Sequence, residues 1–264
     1  MEKIDGKAIA EEVYTRIGDR TGDGLKLVVV MAGDDPATES FVAQKKKAAL
    51  RTGINFEVVK FSEEAETEKL VESVKRASEN HEITAVIVQL PLPQKIDKAR
   101  VLKAIEPTKD VDSLNGGKIP APAAQVVKEI LRYLNKDISL FDFAVVGYGI
   151  LVGKPVYEFL LPRAKSVRIF ERSDDLADVA KADVIISGTG VPGLISPHMV
   201  RDGAIVIDFG YGMKDGKVGG DFDPQISDKN IFYTPTPGGT GPILVAELFL
   251  NIVLLGRSGD SLNL

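Results

Sequence analysis

Ala144-Val145-Val146-Gly147-Tyr148-Gly149-Ile150-Leu151-Val152-Gly153-Lys154-Pro155 reads as a strand, a glycine turn and the opening of a helix. The spacing is G-x-G-x-x-x-G, one residue longer than the common dinucleotide fingerprint, with the same physical demands. Gly147 permits the tight turn and Gly149 lets the backbone approach a pyrophosphate. The helix that starts near Gly153 offers N–H donors and a positive dipole end. Tyr148 sits between the two glycines. A glycine pattern alone is a weak signal, but the strand before it and the helix after it supply the context it needs. The plainer alternative is a structural glycine turn.

On the C-terminal side, the strand Ser166–Phe170 ends at Glu171-Arg172-Ser173, where the adenosine ribose lies in such a fold. An acidic residue there accepts from the free 2′-hydroxyl of NAD; an arginine accommodates the 2′-phosphate of NADP. Both are present. NADP is the expected cofactor, through Arg172 and Ser173, with NAD kept open by Glu171. Asp183-Val184-Ile185-Ile186-Ser187-Gly188-Thr189-Gly190 brings another strand to a glycine-rich end, which makes Gly188 and Thr189 candidates for the nicotinamide side. Ile205-Val206-Ile207-Asp208-Phe209-Gly210 repeats the pattern, and Asp208 is read as a loop cap.

On the N-terminal side, the apolar run from Ile83 to Val88 is that of a strand buried on both faces, as in a parallel sheet. Gln89 ends it, and Pro91 and Pro93 forbid its continuation. Carboxyl ends of such strands open onto the ligand crevice, and a buried amide there needs partners. Its ordinary fate would be to satisfy loop backbone. Asp35-Pro36 is a helix start, with a cap and a first-turn proline. Phe41 and Lys45 lie four apart on one face of that helix. Core packing and a solvated face are their common fates. Asp112, in Lys109-Asp110-Val111-Asp112, abuts a hinge; its alternative is capping the turn before Ser113.

Strands are expected near 25–32, 54–60, 83–89, 142–148, 166–170, 183–187, 204–208 and 231–234. Helices are expected at about 6–20, 36–52, 66–79, 98–105, 120–134, 151–162 and 242–256. The alternation predicts an α/β fold with mainly parallel sheets. Asn115-Gly116-Gly117 is the expected boundary, with a second crossing near Pro237–Pro242. Residues 1–114 would then form a catalytic domain to which 242–264 return. Residues 115–241 would form a Rossmann-type, doubly wound dinucleotide domain, with an active-site cleft between the two.

A net charge of −5 without a basic stripe argues against nucleic acid. No apolar run is long enough to span a membrane. Without cysteine, and with only His81 and His198, there is little material for a metal site or a nucleophilic triad. Met1–Lys7 shows no signal-peptide core, so a cytoplasmic protein is expected.

The chain resembles the bifunctional methylenetetrahydrofolate dehydrogenase/cyclohydrolase family over nearly its whole length. The similar segments are Ile4-Asp5-Gly6-Lys7, Gly33-Asp34-Asp35-Pro36-Ala37, Lys45-Lys46-Lys47-Ala48, Val88-Gln89-Leu90-Pro91-Leu92-Pro93, Lys109-Asp110-Val111-Asp112 and Pro237-Gly238-Gly239-Thr240-Gly241-Pro242. The Gln-Leu-Pro-Leu-Pro and Pro-Gly-Gly-x-Gly-Pro segments are specific to it.

The resemblance implies Lys45 as the catalytic lysine, Gln89 as its partner and Asp112 as the folate-binding carboxylate. Phe41 would stack on the folate. Pro237, Gly238 and Gly239 would border the pterin and Thr240 the nicotinamide. It implies oxidation of 5,10-methylenetetrahydrofolate with NADP, hydrolysis of the methenyl product to 10-formyltetrahydrofolate, and a homodimer. The chain departs from the family pattern in having Phe41 for a usual tyrosine, Gly149 for a serine and Leu244 for a threonine. It also lacks the usual threonine-proline-basic pattern between Ser113 and Pro122. Two other readings stay open: a dehydrogenase of a small hydroxy acid, and a catalytically idle nucleotide- or folate-binding protein.

Overall fold

The computed structural model describes residues 1–18, 24–117, 119–224 and 228–257. In chain order its elements are β1 (Glu2–Lys3), α1 (Gly6–Gly18), β2 (Lys26–Ala32), α2 (Pro36–Thr52), β3 (Asn55–Phe61), α3 (Thr67–Glu79), β4 (Ala85–Val88) and α4 (Lys98–Lys103). They continue as α5 (Pro122–Tyr133), β5 (Asp142–Val146), α6 (Gly153–Leu160), β6 (Ser166–Phe170), β7 (Val184–Ser187) and β8 (Ile205–Asp208). The last are β9 (Gly212–Lys214), β10 (Lys217–Gly219), β11 (Phe232–Tyr233) and α7 (Thr240–Gly256). The helix expected at 6–20 ends at Gly18, and residues 19–20 lie outside the described set, as do 258–264 of the expected C-terminal return.

The chain forms two compact units. One comprises Glu12–Pro122 and the chain from Val245. In it β2 lies between β3 and β4, all parallel. Val28, Val30, Val86 and Val88 pack against Leu70, Val74 and Ala77 of α3 and Val101 and Leu102 of α4. Leu27, Val29 and Ile87, on the other face, are also buried. Burial on both faces is why β2 and β4 read as continuous apolar runs rather than alternating ones.

Helix α2 starts where Asp35 Oδ2 accepts from the Thr38 N–H at 2.8 Å, with Pro36 in its first turn. It ends at Gly53, which takes φ 69°, a left-handed cap that glycine adopts without strain. Beyond α4 the chain returns alongside β4, Val86 N–H donating to Lys109 O at 2.9 Å and Val86 bridging Asp110.

The other unit comprises Met1–Glu11 and Ala123–Leu244. Its six parallel strands run β1-β11-β8-β7-β5-β6. Side chains alternate by parity. Phe143, Val145, Val184, Ile186, Ile205 and Ile207 pack with Val126, Val127 and Ile130 of α5 and Val156 and Leu160 of α6. Ala144, Val146, Ile185 and Val206 face Phe170, Val179, Ile195 and Phe222. That second face is covered largely by 3-10 turns such as Leu176–Lys181, rather than by long helices.

The N-terminus departs from the expected boundary. Residues 1–11 belong with the dinucleotide unit, because β1 adds to the sheet edge (Glu2↔Phe232, Lys3↔Tyr233) and Ile4 and Ile9 enter its core. Two charged residues carry no strand pattern, so only the long-range pairing shows them. Residues 115–122 fall in the first unit rather than the second, held there by α7: Asn251 Nδ2 donates to the carbonyls of Val111 (3.2 Å) and Pro120 (2.9 Å). The β9–β10 hairpin lies outside the expected strands, since Gly212-Met213-Lys214 and Lys217-Val218-Gly219 show no apolar alternation. Among the described residues no helix is long and apolar enough to cross a membrane.

Candidate functional site

Lys45, Gln89 and Asp112 belong to the same unit, and the structure brings them together. Lys45 is on α2, half-buried, and its Nζ donates to Gln89 Oε1 at 2.8 Å. Gln89 is 6% exposed. Its backbone N–H continues the ladder to Val30 O, and its Nε2 donates to Leu90 O at 2.7 Å. That second bond fixes the amide so that its oxygen faces the lysine. Lys46 and Lys47 point to solvent. Phe41 is half-buried one turn before Lys45 on the same face of α2.

Burial pushes the Lys45 amine below its ordinary value, and the charge of Asp112 works against that shift. Asp112 is raised to about 6 by burial; Lys45 holds it down and Asp110 pushes it further up. The turn-capping role considered for Asp112 falls instead to Asp110. That residue is fully buried, and the N–H groups of residues 112 to 115 point at its carboxylate. Capping is thus done by the neighbour, which leaves the Asp112 carboxylate beside Lys45.

The dinucleotide set lies in the other unit. Gly147 takes φ 89°, where a side chain would be strained. A Cβ on Gly153 would fall 1.9 Å from Gly147 O, so α6 can start against the turn only as glycine. Above Gly149 there is open space. An open glycine at a helix N-terminus suits a pyrophosphate. Tyr148 is exposed and meets Tyr157 edge-on at 6.0 Å. Arg172 and Ser173 are exposed at the end of β6 and make no contact that occupies them among the described residues. Asp174 Oδ2 accepts from Glu171 N–H at 2.7 Å and holds the turn that presents them. A free guanidinium and hydroxyl at this corner fit the extra phosphate of NADP.

Gly188 follows β7 and packs on Val152; a Cβ there would meet Val152 at 2.9 Å. The Thr189 N–H donates to Asp221 Oδ2 at 2.6 Å. Pro237 is exposed, Gly238 half-buried with φ 100°, and Gly239 buried. These three sit in the same unit as the dinucleotide set, not with Lys45. Thr240 is buried, and its hydroxyl donates to Asp208 O at 2.8 Å. Gly6 backs this loop closely, since a Cβ there would lie 1.8 Å from Gly239 O.

Asp208 is a loop cap, as expected. Its carboxylate accepts from Gly210 N–H at 2.6 Å and Phe222 N–H at 2.9 Å, and burial raises it to about 6. Asp110 and Gly6 have no role of their own in the sequence beyond their place in the similar segments, and Asp221 has none at all, because each looks like an ordinary turn residue.

A family model for the tetrahydrofolate dehydrogenase/cyclohydrolase catalytic domain matches residues 4–112, and one for the family's NAD(P)-binding domain matches 120–258. The bifunctional protein FolD of Francisella philomiragia is 37% identical over 272 residues, covering 95% of this chain and 96% of that protein. The bifunctional FolD methylenetetrahydrofolate dehydrogenase/cyclohydrolase of Campylobacter jejuni superposes with a TM-score of 0.91 at 28% identity, covering 98% of this chain and 99% of that one. The Trypanosoma brucei N5,N10-methylenetetrahydrofolate dehydrogenase-cyclohydrolase, solved with NADP cofactor and inhibitor, gives 0.89 at 28% identity, covering 98% of each chain. With both halves matched and a relative above one-third identity along nearly its whole length, the chain belongs to the tetrahydrofolate dehydrogenase/cyclohydrolase family.

Proposed function

We propose that Lys45, Gln89 and Asp112 form the folate and hydrolytic set of this bifunctional enzyme. The chain oxidises 5,10-methylenetetrahydrofolate to the 5,10-methenyl cation with NADP and hydrolyses that product to 10-formyltetrahydrofolate. The observation that carries the assignment is the Lys45–Gln89 hydrogen bond at 2.8 Å, with Asp112 acting electrostatically on the same amine.

Asp112, when ionised, accepts two hydrogen bonds from the amino and N–H edge of the pterin, a charge-assisted contact. Phe41 supplies a flat apolar wall for the ring. A lowered amine value keeps a larger neutral fraction of Lys45 at physiological pH, as a proton shuttle requires. A cationic substrate beside it works in the same direction. In the hydrolytic half, water adds to the methenyl carbon and gives a proton to Lys45. Lys45 returns it to N5 as the C–N5 bond breaks, while the carbinol O–H proton leaves to solvent and the formyl C=O forms. Gln89 Oε1 takes one N–H of the amine and so aims the rest of it.

Gly147, Gly149 and Gly153 would cradle the pyrophosphate of NADP, Arg172 and Ser173 its 2′-phosphate, and Gly188 and Thr189 its nicotinamide end. NADP, held by these residues, would supply the hydride acceptor for the methylene carbon. The same reading takes the unit of residues 12–122 and the chain from Val245 as the folate half and the unit of residues 1–11 and 123–244 as the nucleotide half, in place of the expected divisions at 114/115 and 241/242. A homodimer is expected on the family resemblance, and a cytoplasmic location is kept as a separate part of the proposal. Mixing pure protein with methylenetetrahydrofolate and NADP tests the whole scheme: methenyl absorbance should rise and then decay. A rise without decay would remove the cyclohydrolase, and no rise would remove the dehydrogenase. Sedimentation would test the dimer.

A further inference from the structure

Asp221 lies far in sequence from the cofactor candidates, yet its carboxylate reaches the loop that carries two of them. It is fully buried. Oδ2 accepts from Ser187 Oγ at 2.5 Å and from the Thr189 N–H at 2.6 Å. Ser187 is the last residue of β7 and is itself fully buried. One carboxylate oxygen therefore grips both sides of Gly188. The other oxygen, Oδ1, is buried without a hydrogen-bond partner.

Gly210, in the turn after β8, lies against the same group: a Cβ there would fall 2.2 Å from Asp221 Oδ1 and 2.4 Å from its Cγ. Strands β7 and β8 are neighbours in register, Ser187 opposite Asp208. Asp221 thus touches the first turn beyond each of two adjacent strands, at the carboxyl ends where ligands bind in this kind of sheet. Asp208 completes the arrangement from the other side. Its carboxylate binds Gly210 N–H and Phe222 N–H, and Phe222 is next to Asp221.

No lysine or arginine pairs with Asp221 among the described residues, and one oxygen goes unbonded. Closing a turn does not require a charge. What the carboxylate adds is a strong acceptor for two donors that converge on one point, one from a strand end and one from the loop beyond it.

We propose that Asp221 is a positioning residue for hydride transfer, fixing the Gly188–Gly190 turn through Ser187 and Thr189 and the turn after β8 through Gly210, without touching the cofactor. The assignment rests on the reading of Gly188 and Thr189 as the nicotinamide side. It predicts that the two activities respond differently to the same substitution, because the hydrolytic groups lie in the other unit.

The test compares wild type, Asp221→Asn and Ser187→Ala in four measurements: NADP affinity by calorimetry, dehydrogenase kcat and cofactor KM, hydrolysis of methenyltetrahydrofolate without dinucleotide, and Tm. Asp221→Asn should weaken NADP binding and lower dehydrogenase kcat by about tenfold or more, the scale of one lost charge-assisted hydrogen bond. Its cofactor-free cyclohydrolase should stay within about twofold, and Ser187→Ala should show the same split at about threefold.

Parallel losses of both activities with a lowered Tm would make Asp221 a folding residue and overturn the proposal. Unchanged NADP binding and dehydrogenase rate in either soluble variant would overturn it too. If Asp221→Asn does not fold, Ser187→Ala decides alone. Wild type that fails to bind NADP would instead overturn the cofactor reading beneath it.

Discussion

Lys45 Nζ and Gln89 Oε1 meet at 2.8 Å although 44 residues separate them in the chain. One comes from the third turn of a helix, the other from the residue that ends a neighbouring buried strand. Replacing Lys45 with Met keeps the length and apolar stem of the side chain and removes its amine. Cyclohydrolase activity should fall by at least about a hundredfold, within the range of lost general acid–base catalysis, while NADP binding is retained. Normal decay of methenyl absorbance in Lys45→Met would take the lysine out of the mechanism.

Asp112 should give the folate site a pH dependence. Its carboxyl value, raised by burial to about 6, means that the pterin contact is lost as pH falls through that value. kcat/KM for the folate substrate should therefore decline below about pH 6, with Lys45 and Asp110 as the charged groups that face Asp112. The stability sign is opposite to that of an ion-paired carboxylate. The folded state holds the proton more tightly than the unfolded chain, so stability falls as pH rises from about 4 to 6 and the penalty is complete above that. Asp112→Asn should lose the activity limb and flatten the Tm profile over the same interval. An unchanged profile in the variant would assign the limb to another group.

Phe41 stands one helical turn from Lys45 on the same face of α2. Phe41→Ala should raise the folate KM and lower turnover, since such aromatic contacts are worth about 0.5–1.5 kcal/mol beyond burial. Phe41→Tyr should be tolerated, and its hydroxyl, placed to hydrogen-bond Lys45, should speed the hydrolytic half. A normal Ala variant, or an inactive Tyr variant, would make Phe41 ordinary core.

Arg172 is the test of cofactor choice. Arg172→Ala should lower kcat/KM for NADP by about tenfold to a hundredfold, the worth of hydrogen bonds to a charged group, and leave NAD nearly unchanged. Equal losses for the two cofactors would mean that Arg172 does not reach the 2′-phosphate and that Glu171 governs the corner.

The α/β class and most strand and helix positions were legible because buried parallel strands and amphipathic helices imprint their periods locally. Asp35-Pro36 at the start of α2 and the Gly147–Gly153 turn are likewise local: cap, proline and glycine chemistry act within a few residues. The candidate site was legible only as residue types, with the resemblance joining Lys45, Gln89 and Asp112.

What sequence could not decide depended on partners far along the chain. The charged pair Glu2-Lys3 becomes a strand only because Phe232 and Tyr233 offer it an edge. Asp110 and Asp112 are indistinguishable as letters. The bridge of Asp110 to Val86 buries it and commits it to the turn, which leaves its neighbour two residues on to face Lys45. Asp221 shows the same principle. Its reach to Ser187 and Thr189 exists only once parallel crossovers bring distant loops to the same end of the sheet. Periodicity and capping are properties of a few consecutive residues, and sequence determines them. Which carboxylate becomes a cap, a clamp or a ligand contact is set by burial against residues tens of positions away, and only the tertiary structure decides it.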